Sequence, residues 1–317
     1  MKVFITRDIP RIAYNLLKKN NIEFEVYEKD KSIPHKLLLE KIKNVDGLIT
    51  LLTEKIDKKV IDSMNKCKVI ANYAVGYNNI DVEYAKQKNI IVTNTPNVLT
   101  ESTADLTVAL ILSCSRMLFE AENLIRKKQF KGWKPKLLLG IELKNKTVGL
   151  IGAGRIGMAV GIRVKAFGTN IIYFDSNRNK ILEENTAAKK VSLKFLLENS
   201  DIISVHLPLN ENTYHFLNKE NLSQVKKTAI IVNTSRGEII DEKYLIKMLK
   251  KNRIKSAGLD VYENEPGINI ELLKMKNVVL LPHIGSATEE ARSAMAELAA
   301  KNIIGVLKNN KPITPVI

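Results

Sequence analysis

The sequence predicts an α/β protein of parallel sheets and crossover helices, arranged in two domains. Three observations predict it. Short apolar β runs alternate with helical apolar spacings in two separate series. A glycine-rich turn of the dinucleotide-binding type lies near the start of the second series. The 317 residues are enough to bury two cores.

The first series opens with a β run at Val3–Thr6. Pro10–Asn20 follows, with Ile12, Leu16 and Leu17 at helical spacing. Phe24–Tyr27 and Ser32–Lys43 repeat the pair, as strand and helix. Val45–Leu51 is the next strand, Lys58–Met64 the next helix and Val69–Asn72 a further strand. Alternation at these lengths argues for parallel pairing. The pattern changes near residue 100. Asn94–Asn97 ("NTPN") is turn chemistry. Thr100 to Leu118 is a long helix, apolar on more than one face, and so expected to be buried in a core or a subunit interface. Residues 121–145 are rich in Leu, hold the only Trp and lack a clear period, which reads as an arm lying against another surface. The second series starts at Thr147 with "TVGLIG" and continues through "NIIYFD", "DIISVHL", "AIIVNTS", "SAGLDV" and "NVVLLPH". Glu289–Lys308 is a long closing helix.

Composition excludes several classes. The hydrophobic share of 45% with scattered charge is that of a soluble globular protein. The start, "MKVFITRDIP", reads as a first strand and not as a signal peptide. No run of ~18 apolar residues is present, so no membrane partner is expected. Cys67 and Cys114 both lie in apolar periodic segments, which favours free thiols and a cytoplasmic location over a disulfide framework. The net charge of +16 comes from lysines dispersed among Glu and Asn, without zinc-ligand spacing or aromatic–basic interleaving. It reads as a solvated basic surface and not a nucleic-acid footprint. Such a field also draws small anions.

The run "TVGLIGAGRIG" contains G-x-G-x-x-G at Gly152, Gly154 and Gly157. A strand precedes it, a helical pattern follows it, and the next strand ends in Asp175, 18 residues after the third glycine. That context makes it a dinucleotide fingerprint. Gly152 permits the tight turn, Gly154 lets the backbone approach a pyrophosphate and Gly157 lets the helix pack on the sheet. The helix N-terminus offers N–H groups and partial positive charge to the anion. Asp175 is expected to accept from the adenosine ribose hydroxyls, which favours NAD over NADP, while Arg178 softens that preference.

Three further residues follow separate strands of the same series. Arg236 lies just beyond "AIIVNTS". Glu265 lies in the loop after "AGLDV", which ends a strand at Asp260. His283 closes "NVVLLPH". Ligands of open α/β sheets bind beyond the carboxyl ends of strands, so these side chains are expected along one crevice. The set suits hydride chemistry on 2-hydroxy and 2-keto acids. His moves a proton near neutral pH, a neighbouring carboxylate favours the charged imidazole, and the fork of Arg matches a substrate carboxylate. Gly285 lets backbone approach the nicotinamide.

These motifs, with "DIISVHLPLNENTYHFLN", "AGLDVYENEP", "NVVLLPHIGSAT" and "ANYAVGYNNIDVEYAKQKNIIVTNTPNVLTESTADLT", resemble the D-isomer-specific 2-hydroxyacid dehydrogenases over nearly the whole chain. The look is closest to the glyoxylate/hydroxypyruvate reductase branch. The resemblance implies two Rossmann-like doubly wound parallel-sheet domains with a cleft between them. Residues 1–99 and 286–317 would form a discontinuous substrate domain. Residues 100–285 would form the NAD domain, with the dimerisation helix and arm. It implies His283 as acid/base, Glu265 as its partner and Arg236 as substrate anchor. It places Val75, Gly76 and Leu51 at the substrate, and Arg155 and Ile156 at the pyrophosphate. Pro208 and Thr213 fall on the adenosine side, and Thr234, Asp260 and Thr107 near the nicotinamide. It implies a homodimer, with Trp133 reaching toward the partner. The activity it implies is reduction of a small 2-keto acid such as glyoxylate or hydroxypyruvate. A short 3-phosphoglycerate dehydrogenase and, from another class, an NAD-sensing corepressor-like binding protein are the competing readings. The full Arg–Glu–His set argues against the latter.

Overall fold

The computed structural model describes residues 1–316. The chain divides into two compact units, Met1–Leu99 with the segment from Ser286 on, and Thr100–Gly285. Unit 1 holds β1 (Lys2–Ile5), β2 (Glu23–Val26), β3 (Gly47–Thr50), β4 (Val69–Asn72) and β5 (Ile91–Thr93). They pair in parallel in the order β2-β1-β3-β4-β5. Unit 2 holds β6 (Thr147–Ile151), β7 (Asn170–Phe174), β8 (Lys189–Lys190), β9 (Ile202–Val205), β10 (Ile230–Asn233), β11 (Ser256–Leu259) and β12 (Val278–Leu280). Their order is β12-β11-β10-β9-β6-β7-β8, again parallel.

The inner strands are mostly apolar on both faces because both faces are covered, as parallel sheets require, with single buried polar residues such as Thr50, Asn72, Ser204, Asn233 and Ser256. All four residues of β3, β4, β9, β10 and β11 are buried, while the edge strands β2 and β8 are wetter. Alternation sorts the side chains into two cores. In unit 2, Val148, Leu150, Ile202, Ile230 and Val232 join Leu110, Ile111, Val160 and Val164 on one face. Ile151, Ile203, Val205 and Ile231 join Leu245, Leu249 and Leu196 on the other. In unit 1, Phe4, Leu48 and Ile70 pack with Leu38, Ile42, Val60 and Ile61. The helix Glu289–Asn309 packs on the helix Ile12–Lys19 and on β3 and β4. Each fully buried Leu or Ile contributes about 1.5–3 kcal/mol.

Local signals start the helices. Asp81, Ser192, Asp241 and Thr288 accept from the amide three residues on, giving N-caps. One expected boundary moves. The helix from Thr100 ends at Arg116 and not Leu118, since Met117 adopts φ 53°. A second helix, Leu118–Arg126, leaves at a 67° bend and takes up residues assigned to the arm. Only one face of Thr100–Arg116 is buried (Thr103, Ala104, Thr107, Leu110, Ile111, Cys114), and it packs on the helix Arg155–Lys165 and on β10 and β11. Among the described residues no single helix is long and apolar enough to cross a membrane.

Candidate active site

Because the strands of unit 2 are all parallel, the loops after β6, β7, β9, β10, β11 and β12 lie along one sheet edge. The edge has a side-chain-poor end and a charged end.

At the first end, Gly152 has φ 93°, and a Cβ on it would press on the His206 carbonyl. A Cβ on Gly157 would collide with the Gly152 carbonyl oxygen. Both glycines are therefore required by the protein itself. Gly154 differs. Its φ of −69° suits any residue, and a Cβ there would meet nothing within 4 Å. It leaves a smooth cradle at the start of Arg155–Lys165, a helix whose N-terminus no side chain caps. Arg155 and Ile156 form its first turn. The arrangement fits a pyrophosphate bound on backbone N–H groups. Asp175 clamps the turn, its carboxylate accepting from Ala153 N at 2.7 Å and from Asn177 N at 3.0 Å. Asn179 fastens it again by donating to the Ala153 carbonyl at 2.6 Å. A carboxylate offers about four acceptor sites, so Asp175 keeps capacity for a ribose hydroxyl. Arg178 is held by Glu183 at 2.7 Å, and Glu183 also accepts from Tyr173. Pro208 and Thr213 share a compact turn after β9, in which the Thr213 hydroxyl donates to the Pro208 carbonyl at 2.6 Å.

At the charged end, Asn233 shapes the turn that carries Arg236. Its amide donates to the Arg236 carbonyl at 2.8 Å and its oxygen accepts from Ser235 N at 3.0 Å. Arg236 is half-buried, and its Nη1 donates to the Ser235 carbonyl. Burial pulls its pKa down, while the charges of Glu265 and Glu238 push it up. His283 adopts φ 54° after Pro282. Its Nδ1 lies 2.7 Å from Glu265 Oε2, which leaves Nε2 as the ring nitrogen not engaged by Glu265. Glu265 Oε1 accepts from Tyr262 N at 3.0 Å. Burial raises the pKa of Glu265. The His283 hydrogen bond and charge, the Tyr262 amide and the Arg236 charge outweigh it and hold the carboxyl below its ordinary value. Asp260 is fully buried, and its two oxygens accept from Ile284 N and Gly285 N, each at 2.8 Å. It thereby fixes the backbone just after His283. Burial raises its pKa, against those two amides and the His283 charge.

The structure brings Arg236, Glu265, His283, Asp260 and Gly285 together at the ends of β10–β12. Thr234 joins them through Thr107, whose hydroxyl is 2.8 Å from that of Thr234 and donates to Thr103 O. Thr107 is fully buried, so it braces Thr234 from inside the fold. His206 is set apart from His283: burial pushes its pKa down to about 3, and its Nε2 pairs with Ser204. Burial therefore favours the neutral ring of His206 near neutral pH.

Leu51, Val75 and Gly76 lie after β3 and β4 of unit 1. The Leu51 amide donates to buried Glu54 at 3.0 Å, and its carbonyl accepts from Asn79. The carbonyls of Val75 and Gly76 accept from Asn94 and Asn72, both at 2.8 Å. Among the described residues their own N–H groups have no protein acceptor. Glu54 escaped sequence reasoning. It also accepts from Thr6 at 2.9 Å and Thr53 at 2.8 Å and pairs with Arg7, in a cluster only the fold assembles. A cavity of about 660 Å³ in unit 1, lined by Lys68, Asn89 and the end of the closing helix, contains none of these residues. No group of three potential metal ligands occurs among the described residues.

A doubly wound sheet with a glycine turn after its interior strand β6 and an Arg–Glu–His set beyond β10–β12 is the arrangement of a nicotinamide-dinucleotide oxidoreductase. Comparison with known proteins narrows the class. The family profile "D-isomer specific 2-hydroxyacid dehydrogenase, NAD binding domain" matches residues 108–285. A glyoxylate reductase of Thermococcus litoralis is 49% identical, over 98% of this chain and 95% of that one. The crystal structure of the TT0316 protein from Thermus thermophilus has a TM-score of 0.94 at 39% identity and covers 100% of both chains. An NADPH-dependent glyoxylate/hydroxypyruvate reductase of Sinorhizobium meliloti, in complex with NADP and malonate, has a TM-score of 0.87 at 31% identity over 99% of this chain and 96% of that one. The chain belongs to the D-isomer specific 2-hydroxyacid dehydrogenase family, in its glyoxylate reductase branch. It is an oxidoreductase acting on CH–OH groups with a nicotinamide cofactor.

Proposed function

We propose that the protein reduces glyoxylate or hydroxypyruvate with NADH, with His283 as the acid/base. The observation that carries this reading is the 2.7 Å contact of His283 Nδ1 with Glu265, on the sheet edge that also bears the glycine turn. When bound, the nicotinamide supplies the hydride for the keto carbon. His283 Nε2 gives its proton to the carbonyl oxygen and takes it back in the reverse direction. Glu265 orients the ring through Nδ1 and balances the imidazolium charge. Asp260 keeps that ring in place through the two amides that follow it. Arg236 receives the substrate carboxylate in its planar fork. In unit 1, the N–H groups of Val75 and Gly76 are donors suited to a substrate carboxylate, and Leu51 lies in the loop after the neighbouring strand β3.

NAD is preferred over NADP in this reading. Asp175 sets a negative charge beside the ribose position, and Arg178 is occupied by Glu183. We also propose a homodimer, supported by the exposed apolar side chains of Phe119, Ile125, Phe130 and Trp133. The test is a panel of glyoxylate, hydroxypyruvate, pyruvate and 3-phosphohydroxypyruvate, each assayed with NADH and with NADPH. Highest kcat/KM for one of the first two with NADH is expected. Preference for 3-phosphohydroxypyruvate, or turnover with NADPH alone, would sink the reading.

A further inference from the structure

A second histidine–glutamate pair lies on the same edge, outside the proton-handling set. His215 Nε2 is 2.9 Å from Glu263 Oε1. Glu263 is two residues before Glu265, so one short loop is bracketed by two such pairs, His215–Glu263 and His283–Glu265. We infer that the His215–Glu263 pair is a positioning bridge, through which the loop after β9 and the turn carrying Arg236 hold Glu265 in register for His283. The inference rests on the proposed acid/base role of His283.

The fastenings around His215 support it. Its amide donates to the Glu238 carbonyl at 2.8 Å, and Leu217 N donates to Ile239 O at 3.0 Å. His215 is thus tied by backbone to the segment just after Arg236. Its ring stacks on Tyr214, with centroids 4.1 Å apart and planes 15° apart, which fixes the imidazole plane. His215 adopts φ 47°, in the left-handed region that most residues avoid. On the other loop, Glu263 N donates to buried Glu242 at 3.2 Å. A Cβ on Gly237 would overlap the Tyr262 carbonyl and Glu263 N, so the Arg236 turn and the Glu265 loop touch backbone to backbone. The groups gathered at the bridge are Glu263, Glu242 and Glu238, with His215 the basic one. Burial, reinforced by the charge of Glu263, raises the pKa of Glu242.

A partly exposed pair of this kind adds little to global stability. Placement is different: shifts near 1 Å at a reacting group cost about 100-fold in rate. The bridge also connects Thr213, two residues before His215, to the Glu265 loop. It therefore links the adenosine-side turn to the acid/base pair.

The test uses the full chain carrying His215→Ala, Glu263→Ala, both together, and His215→Gln, whose amide replaces Nε2 as a donor. Expected is a kcat lower by about 10- to 100-fold in each alanine variant. The double variant should be no slower than either single one. Tm should fall by less than about 2 °C. KM for the keto acid and NADH binding by nucleotide fluorescence should be unchanged, and His215→Gln should recover most of the rate. Unchanged kcat, additive losses, or a loss that follows Tm without rescue by His215→Gln would overturn the bridge. His283→Ala separates the two ideas. If it stays active, the acid/base reading fails. If it is inactive while His215→Ala turns over normally, the bridge alone fails.

Discussion

The two sheets share one winding order and differ in the turn that leaves the equivalent strand. Leaving aside the two outermost strands of unit 2, β8 and β12, its β7-β6-β9-β10-β11 runs in the same order as β2-β1-β3-β4-β5 of unit 1, so β1 corresponds to β6. After β6 comes Gly152-Ala153-Gly154, with no side chain larger than the buried Ala153 methyl and clamped from outside by Asp175 and Asn179. After β1 come Thr6 and Arg7, whose side chains turn onto buried Glu54. In the first turn Gly152 N and Ala153 N already donate to Phe174 O and Asp175, and it is the missing Cβ of Gly154 that leaves the helix start unobstructed for a phosphate. The other is filled by a polar cluster of its own. The backbone topology thus permits a dinucleotide site twice, and side-chain chemistry builds it once.

The largest effect expected from this contrast is at the charged end of unit 2. His283→Ala should lower kcat/KM for the keto acid by about 10²–10⁴-fold with NADH binding kept, as removal of a general acid does. Stopped-flow turnover beside NADH fluorescence titration checks it. Equal loss of binding and turnover would mean the two ends of the edge are not separable.

The glycines give the next effect, and it should split. Gly157→Ala puts a Cβ into the Gly152 carbonyl and should cost about 1–3 kcal/mol of stability along with NADH affinity. Gly154→Ala meets open space in the protein, so Tm should stay while NADH affinity falls by about 10-fold, or ~1.4 kcal/mol. Calorimetry with fluorescence titration reads both. If Gly154→Ala binds NADH as tightly as the parent, the stripped turn is not the phosphate cradle.

In unit 1 the corresponding cluster should act on the substrate. Glu54→Gln keeps the shape but exchanges an acceptor for a donor facing Thr6, Thr53, Arg7 or Leu51 N, and should cost about 1–3 kcal/mol. The keto-acid KM should rise while the NADH Kd is unchanged, because the Leu51 loop loses its anchor. A raised NADH Kd with normal KM would assign the loop to the wrong ligand.

The pH dependence of stability gives a smaller signal. Glu265 titrates below its ordinary value in the fold, so its ionised form stabilises the native state. That contribution is fully present above the unfolded value near ~4.3 and fades as pH falls through the folded one. The Tm difference between the parent and Glu265→Gln should therefore shrink as pH is lowered from 6 toward ~3. A difference that grows on acidification would contradict the His283–Glu265 geometry.

Much of this was legible in the residues, and unevenly. The inner strands and the glycine turn carry period and spacing, signals that survive in one dimension. Arg236, Glu265 and His283 were legible because each follows a strand closely. Glu54 was not, since its partners Thr6, Leu51, Thr53 and Arg7 come from two strand ends that only the sheet brings together. The break at Met117 was hidden for another reason: the sequence continues helical through Leu118, and only φ 53° at Met117 turns it. His215 carries no local signal of its partner, because Glu263 lies 48 residues away.

The smallest expected effect offers the sharpest local probe. Each unit has one cysteine, Cys67 in unit 1 and Cys114 in unit 2, both buried. Burial pushes each thiol up to about 12, so neither forms thiolate at neutral pH in the native state, and a disulfide reagent should leave both untouched. Labelling then reports opening of the unit that holds the thiol. Under rising urea, Gly157→Ala should expose Cys114 before Cys67. Glu54→Gln should reverse that order, as judged by mass spectrometry of the labelled peptides. If both thiols open together in both variants, the two sheets melt as one cooperative body. The contrast between their turns would then concern chemistry and not stability.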